Sequence, residues 1–178
     1  MERVWVFDRL AISVARIDFL DPSVADEPDA RERGVRIEVR RASSETEGTI
    51  YVSASTTLQP AICRIDLLES APGAADRMHW HPDMPYGEPG DRTFDPDLPA
   101  DPVGWLTTYL RHLGDFLVRA GVPDVDAMTR DLEDVAECAD EIGAAVADGL
   151  AWTRATPWPD LARDERGMPV QADPAPHS

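Results

Sequence analysis

Apolar and polar side chains alternate with a period of two along the N-terminal part of the chain, a pattern typical of β-strands with one buried face. The alternation is seen at residues 5–7, 35–40, 49–53 and 63–68, and residues 10–19, rich in Ile, Val and Ala, predict one long strand. Turn-forming residues separate these stretches at residues 21–34, 43–48 and 59–60. Sequential strands with short polar connections favour an antiparallel meander of four to five strands over residues 3–69, with one face covered and the other in contact with water.

The apolar period changes to that of an α-helix after residue 102. Asp101-Pro102 has the chemistry of a helix start and Gly121 that of a helix end, while Asp124 can begin a second helix. The apolar stripes are Leu106, Leu110, Leu113 and Leu117 in the first helix, and Met128, Leu132, Val135, Ala139, Ile142 and Val146 in the second. We predict an antiparallel helical hairpin over residues 103–151 that covers one face of the sheet, which makes the fold α+β. The spacing of the second stripe also suits a coiled-coil dimer, so the oligomeric state stays open.

Residues 70–102 lie between the predicted sheet and the predicted helices. They contain seven prolines and show no sustained periodicity. A structureless segment of this length inside a domain is usually functional or disordered. We therefore predict a single domain over residues 1–151 with a Pro-rich functional loop at residues 70–102, followed by a flexible Pro-rich tail over residues 152–178.

The charge of the chain limits its partners. Among 178 residues, 34 are acidic and 17 basic, which gives a formal net charge of −17. Nucleic acids and anionic membranes would repel such a surface, so we expect neither as a partner. All the basic residues are Arg, which excludes a Lys Schiff base and the Lys of a phosphate-binding loop. The N-terminus lacks the pattern of a secretion signal and no stretch is apolar enough to span a membrane, so we expect a cytoplasmic protein.

The sequence His79-Trp80-His81-Pro82 is the first candidate site. In an extended segment the two imidazoles point the same way and Trp80 points the opposite way, so the histidines can share a divalent cation. Zinc, manganese or iron would suit mixed imidazole and carboxylate ligation. We predict His79, His81 and Asp83 as metal ligands, with further ligands available from Glu88, Glu69 or His112. The alternatives are a pair of loop imidazoles hydrogen-bonded to nearby carboxylates and a metal-free catalytic pair.

Two resemblances involve this segment. Gly73 followed by His79-Trp80-His81 resembles the opening of the cupin metal motif, although Glu88 lies further on than the glutamate of that family and the second cupin motif does not follow. The resemblance implies metal ligation by the two histidines and no fold. The sequence Arg64-Ile65-Asp66-Leu67-Leu68-Glu69, together with the histidine segment and Asp101-Pro102-Val103-Gly104-Trp105-Leu106, is similar to an uncharacterised bacterial family. That similarity implies that the stretch forms one unit, and implies no reaction.

The strand before the Pro-rich segment carries a second group of candidates. Arg64 and Asp66 are two residues apart and therefore share one face of the strand, and Glu69 lies at its end. We predict Asp66 and Glu69 as catalytic carboxylates and Arg64 as the group that binds an anionic part of a substrate. The alternative for Arg64 and Asp66 is a surface ion pair. If the protein is an enzyme, hydrolysis by a metal-activated water is the natural reaction, with a small molecule as substrate.

A different class of function is indicated by the second predicted helix. Residues 126–148 contain eight acids and one base, Arg130. Such a face could bind a basic protein partner, as immunity proteins and antitoxins do. The alternative is a solvated helix face in a chain that is acidic throughout.

Overall fold

The alternating stretches form a five-stranded antiparallel sheet in the computed structural model, which describes residues 2–20, 31–47, 53–155, 158, 162–163, 165–166 and 169–170. The strands are β1 (Glu2–Val6), β2 (Leu10–Leu20), β3 (Arg31–Glu47), β4 (Ser53–Glu69) and β5 (Arg77–His81). Each strand pairs with its neighbour in the chain, in the order β1-β2-β3-β4-β5. The predicted α+β fold with an antiparallel meander is confirmed.

The register of the strands sorts the side chains onto two faces. Residues directly opposite one another in antiparallel strands share a face, and Arg36 lies opposite Asp66, which lies opposite His79. The adjacent rows fall on the other face, where Ile37 lies opposite Ile65 and both are fully buried. One face of the sheet is therefore part of the hydrophobic core, and the other carries a row of ionisable groups.

Three predicted interruptions of the sheet were wrong in whole or in part. Gln59-Pro60 lies inside the single long strand β4, where the pairing with β3 shifts register between Val39 and Ala42. A proline is tolerated at such a bulge because one backbone donor is unpaired there. Ser43–Glu47 belongs to β3 instead of a turn, as do residues 31–34. Residues 21–30 and 48–52, which include most of the predicted strand at residues 49–53, lie outside the described part of the chain.

The Pro-rich segment is more regular than its composition predicts. It contains the edge strand β5, a 3-10 turn at Pro85–Gly87 and the short helix α1 (Asp97–Ala100). The backbone of Trp80 exchanges two hydrogen bonds with that of Thr93, of 3.0 and 2.8 Å, so the chain folds back along the outer edge of β5. The prediction of a structureless segment over residues 70–102 was therefore wrong at these positions.

The helical region consists of α2 (Pro102–Arg111), α3 (Leu113–Arg119) and α4 (Thr129–Ala155). Asp101 caps α2 by accepting a hydrogen bond of 3.0 Å from the backbone N–H of Gly104. The first predicted helix is divided at His112, and α4 begins at Thr129, after a 3-10 turn, instead of near Asp124. Helix α4 packs against α2 and against β2 and β3. The two apolar stripes form the core together with the inner face of the sheet.

The end of the chain differs from the predicted boundary at residue 151. Helix α4 continues to Ala155, and β6 (Ala162–Arg163) pairs with β7 (Pro169–Val170) in a separate two-stranded sheet. The rest of the predicted tail lies outside the described residues. Within the part of the chain that the structure describes, no helix combines the length and the apolar composition that crossing a bilayer requires.

Candidate metal centre

Three side chains from the hairpin of β4 and β5 meet on the polar face of the sheet. Asp66 comes from β4, and His79 and His81 come from β5, with Trp80 directed to the other face. His79 Nε2 lies 3.6 Å from Asp66 Oδ2, and His81 Nε2 lies 3.8 Å from the same oxygen. All three side chains are buried, with exposed fractions of 1% for Asp66 and 3% for each histidine.

Backbone carbonyl groups set the orientation of both imidazole rings. His79 Nδ1 lies 2.9 Å from the carbonyl oxygen of Arg77, and His81 Nδ1 lies 2.8 Å from that of Gly90. A carbonyl can only accept, so each Nδ1 carries the proton and donates it, and each Nε2 presents a lone pair. Histidine ligands of metals in proteins are held in the same way, with the second ring nitrogen donating to a carbonyl or a carboxylate.

The protonation state of the histidines follows from their environment. Burial lowers the pKa of both imidazoles below the ordinary value, against the opposing effect of the backbone carbonyls and of Asp66. The Arg92 guanidinium adds to the lowering in both rings. Near neutral pH both imidazoles are therefore uncharged, and the two Nε2 atoms and Asp66 Oδ2 are three electron-pair donors that face one another.

Two arginines hold the carboxylate. Arg36 Nε donates a hydrogen bond of 2.6 Å to Asp66 Oδ1, and Arg64 Nε donates one of 2.8 Å to Asp66 Oδ2. Arg64 Nη2 also lies 3.3 Å from His81 Nε2. The alternative of a surface ion pair between Arg64 and Asp66 does not describe this geometry, because the carboxylate is 1% exposed.

The spacing of the donor atoms fits a transition metal. Two ligand atoms bound to one tetrahedral zinc, each at about 2.1 Å, are about 3.4 Å apart. The observed separations of 3.6 and 3.8 Å are close to this value. The three donor atoms lie within 4.8 Å of one another. One carboxylate and two imidazoles form the donor set that suits iron, zinc or manganese in proteins.

Two predicted site residues lie elsewhere. The Glu69 carboxylate is on the core face of the sheet, where Oε1 accepts hydrogen bonds of 2.9 and 2.6 Å from Arg154 of α4. Its position follows from the odd spacing from Asp66, since residues three apart in a strand face opposite ways. Asp83 is exposed and is not part of the cluster formed by Asp66, His79 and His81. Glu88 and His112, the other ligands considered, are exposed as well.

Arg36 and Arg92 also act on this cluster, and neither was predicted from the sequence. The alternation in β3 places Arg36 on the polar face, but only the strand register reveals that it lies opposite Asp66. Arg92 lies in the segment that folds back along β5, and no periodic pattern in the sequence marks it. The same segment brings Phe94 to a ring-centre distance of 5.8 Å from His79.

Comparisons with protein-family models, with curated proteins and with solved structures found no match for this chain. The two resemblances described from the sequence therefore stay predictions.

Proposed function

We propose that Asp66, His79 and His81 bind one divalent transition metal ion, with zinc, manganese or iron as the candidates. The observation that carries the proposal is that three donor atoms, Asp66 Oδ2 and the two Nε2 atoms, converge on one point. Hydrogen bonds to the opposite side of each side chain fix their orientation. The two backbone carbonyls hold the Nδ1 protons, and Arg36 holds the outer oxygen of the carboxylate. Arg64 contacts Asp66 Oδ2 and His81 Nε2 from one side. A cation among the three donor atoms would replace the repulsion between their facing lone pairs by attraction.

Arg64 is the group that we expect to change partners when the site is loaded. Its guanidinium already contacts two of the proposed ligands, at Asp66 Oδ2 and His81 Nε2. A divalent ion would repel this guanidinium and compete for the same lone pairs. Arg64 is then available for an anionic group of a substrate, such as a phosphate or a carboxylate, which would lie beside the metal. The charges of Arg36, Arg64 and Arg92 against the single charge of Asp66 also favour an anionic ligand.

Hydrolysis is the reaction that this combination supports best. Three protein ligands leave a coordination position for water, and a bound metal ion lowers the pKa of that water toward neutrality. Arg64 would hold the anionic substrate next to the bound water. Under this proposal, Arg64 and the three ligands are the functional residues, and Glu69 and Asp83 are not.

Metal binding is tested by titrating chelator-treated protein with zinc, manganese and ferrous iron in a calorimeter. We expect one equivalent of at least one of these ions to bind, and the double variant His79→Gln/His81→Gln to bind it at least about 100-fold more weakly. The matched control is His112→Gln, which removes an exposed histidine of α2's C-terminal end and should leave the affinity unchanged. Failure of all three metals to bind the folded wild type, or equal binding by the double variant, would overturn the proposal.

Hydrolysis is tested on the loaded protein with p-nitrophenyl phosphate and p-nitrophenyl acetate. We expect turnover that disappears with a chelator, and Arg64→Gln should reduce kcat/KM for the phosphate ester more than for the neutral ester. Metal binding without turnover of either ester would leave the metal proposal intact and would contradict the hydrolase proposal for these ester classes.

The alternative, a basic protein partner bound by residues 126–148, has less support. Several acids of this region contact the chain itself. Asp131 is buried and accepts hydrogen bonds from the backbone N–H groups of Asp8 and Arg9, and Glu141 accepts one from the indole of Trp5. Exposed acids such as Glu133 remain for a partner. Charge reversal at the exposed positions should abolish binding of a basic partner and leave metal binding unchanged, which separates the two hypotheses.

A further inference from the structure

The side of β5 opposite the candidate metal centre carries an aromatic cluster. Trp80 of β5 meets Trp105 and Tyr109 of α2 and Phe116 of α3. These four residues line an open cleft of about 780 Å³ between the strand and the two helices. The metal ligands do not line this cleft, so it is a separate candidate site.

The rings of Trp80, Trp105, Tyr109 and Phe116 pack together at several angles instead of forming a flat stack, and we call this cluster the aromatic box. Trp105 and Tyr109 are stacked at 5.3 Å between ring centres, and Trp80 meets Tyr109 and Phe116 edge to face at 5.6 and 5.8 Å. Tyr109 is buried, with 2% exposure, and the other three rings are partly exposed. The rings contact one another, so no ligand fits between them. A ligand in the cleft would lie against the exposed parts of Trp80, Trp105 and Phe116.

Carboxylates surround this aromatic box. Asp95, Asp97, Asp101 and Asp115 line the cleft, against Arg119 and His112 as the basic groups. Asp95 Oδ2 accepts a hydrogen bond of 2.9 Å from the indole N–H of Trp105, which fixes a negative charge at the edge of the box. The hydrogen bond from Trp105 lowers the pKa of Asp95, so this carboxylate is ionised. The field in the cleft is therefore negative.

Aromatic faces and negative charge attract the same class of ligand. The face of an indole or phenyl ring carries the negative end of the ring quadrupole and binds cations, and cages of such rings recognise alkylated ammonium groups. One cation–π contact of this kind is present within the protein itself, because the Arg119 guanidinium lies 5.4 Å from the ring centre of Phe116. Packing in the core does not cover these rings fully, since Trp80, Trp105 and Phe116 remain partly exposed in the cleft.

We propose that this cleft binds a small organic cation of the quaternary ammonium or alkylated amine class. The methyl or alkyl groups of the ligand would contact Trp80, Trp105 and Phe116. Its charge would be balanced by Asp95 and by the exposed carboxylates Asp97 and Asp115. The acidity of the whole chain adds long-range attraction for such a ligand.

Choline and its uncharged isostere 3,3-dimethylbutan-1-ol test the proposal, because they differ in charge and hardly in shape. Binding is followed by the tryptophan fluorescence of the wild type and by calorimetry. We expect choline to bind at least about tenfold more tightly than the alcohol, since the cation–π attraction is absent in the alcohol. Added salt should weaken choline binding and leave alcohol binding unchanged.

Two sets of variants locate the binding. Phe116→Leu removes one ring of the aromatic box and Asp97→Asn/Asp115→Asn removes two exposed charges, and each should weaken choline binding several-fold. The matched control Glu133→Gln/Glu137→Gln removes two exposed charges of α4 outside the cleft and should have a smaller effect. The variant His79→Gln/His81→Gln should bind choline like the wild type, which separates this proposal from the metal proposal. Equal affinities for choline and the alcohol would overturn the cation proposal, as would no binding of choline up to about 50 mM by the folded wild type. Equal weakening of choline binding by the cleft variants and the control variant would also overturn it.

Discussion

Asp66→Asn replaces one oxygen of the buried carboxylate by an amide group and leaves the shape of the side chain almost unchanged. In the wild type, Asp66 Oδ1 accepts from Arg36 at 2.6 Å and Asp66 Oδ2 accepts from Arg64 at 2.8 Å. The asparagine oxygen can keep one of these hydrogen bonds. The amide N–H groups would then face the other guanidinium, where a donor meets a donor. At the position of Oδ2 the amide would also face the Nε2 lone pairs of His79 and His81, which offsets part of the loss.

The size of the effect follows from the burial of the three groups. Removing one partner of a buried ion pair costs about 3–5 kcal/mol, because the other charge loses its counter-charge without regaining water. The Arg36 and Arg64 side chains are 24% and 14% exposed, so both guanidinium groups can recover part of their hydration. We therefore expect the lower end of this range, a loss of about 3 kcal/mol in the free energy of unfolding.

Urea unfolding at pH 7 in the presence of a chelator measures this loss without a contribution from bound metal. The slope of the unfolding free energy against urea should stay constant, so that the change in midpoint reports stability alone. Glu133→Gln, which removes an exposed carboxylate, is the control and should change stability by less than about 0.5 kcal/mol. A loss below about 1 kcal/mol for Asp66→Asn would refute the reasoning, because the carboxylate would then not be the shared buried partner of the two arginines.

Three further results are expected. Burial lowers the pKa of His79 and His81 in the folded state, so the unfolded chain binds more protons below about pH 6.5. The stability of the metal-free protein should therefore fall with decreasing pH, by up to about 1.4 kcal/mol per pH unit for each histidine. Urea unfolding of the wild type and of the double glutamine variant between pH 7.5 and 5.5 measures this loss, which should be absent in the variant. Burial raises the pKa of the Cys63 thiol to about 11. In the folded protein a thiol reagent at pH 8 should therefore modify Cys138 and should reach Cys63 only after unfolding. Modification of Cys63 before unfolding would contradict its burial. Gly34→Ala should destabilise the protein by about 3 kcal/mol or more in the same urea assay, because its Cβ would lie 2.0 Å from a carbonyl oxygen of β4, and an unchanged midpoint would contradict the strand register.

The sheet was accessible to sequence reasoning because its strands bury one face. Alternation in residues 35–40 and 63–68 follows directly from that burial, and the apolar face is buried as predicted. The other face was expected to contact water, but Asp66, His79 and His81 on that face are buried as well. Gln59-Pro60 was predicted as a turn because a proline has the same local chemistry in a turn and in a bulge. Only the pairing with β3 distinguishes the two, and pairing depends on residues distant in the sequence.

The candidate site was predictable as far as local geometry determines it. His79 and His81 share a face because they are two residues apart in an extended strand, and the same holds for Arg64 and Asp66. The sequence could not reveal that Asp66 lies opposite His79, because the register of β4 against β5 depends on the length and shape of the connection between them. Asp83 was predicted from its closeness in the sequence, but the chain turns away after Pro82 and leaves it exposed.

The order of the strands has a consequence for how the molecule folds. Each strand pairs with the next one in the chain, so the sheet can grow by adding hairpins, and no strand has to be inserted between two others. All three proposed ligands lie in the last hairpin of the five-stranded sheet, within residues 66–81. The closure entropy for bringing them together is that of a short loop. A metal ion at this position would therefore stabilise the β4–β5 hairpin. It would raise the folding rate to the extent that this hairpin is already formed in the transition state.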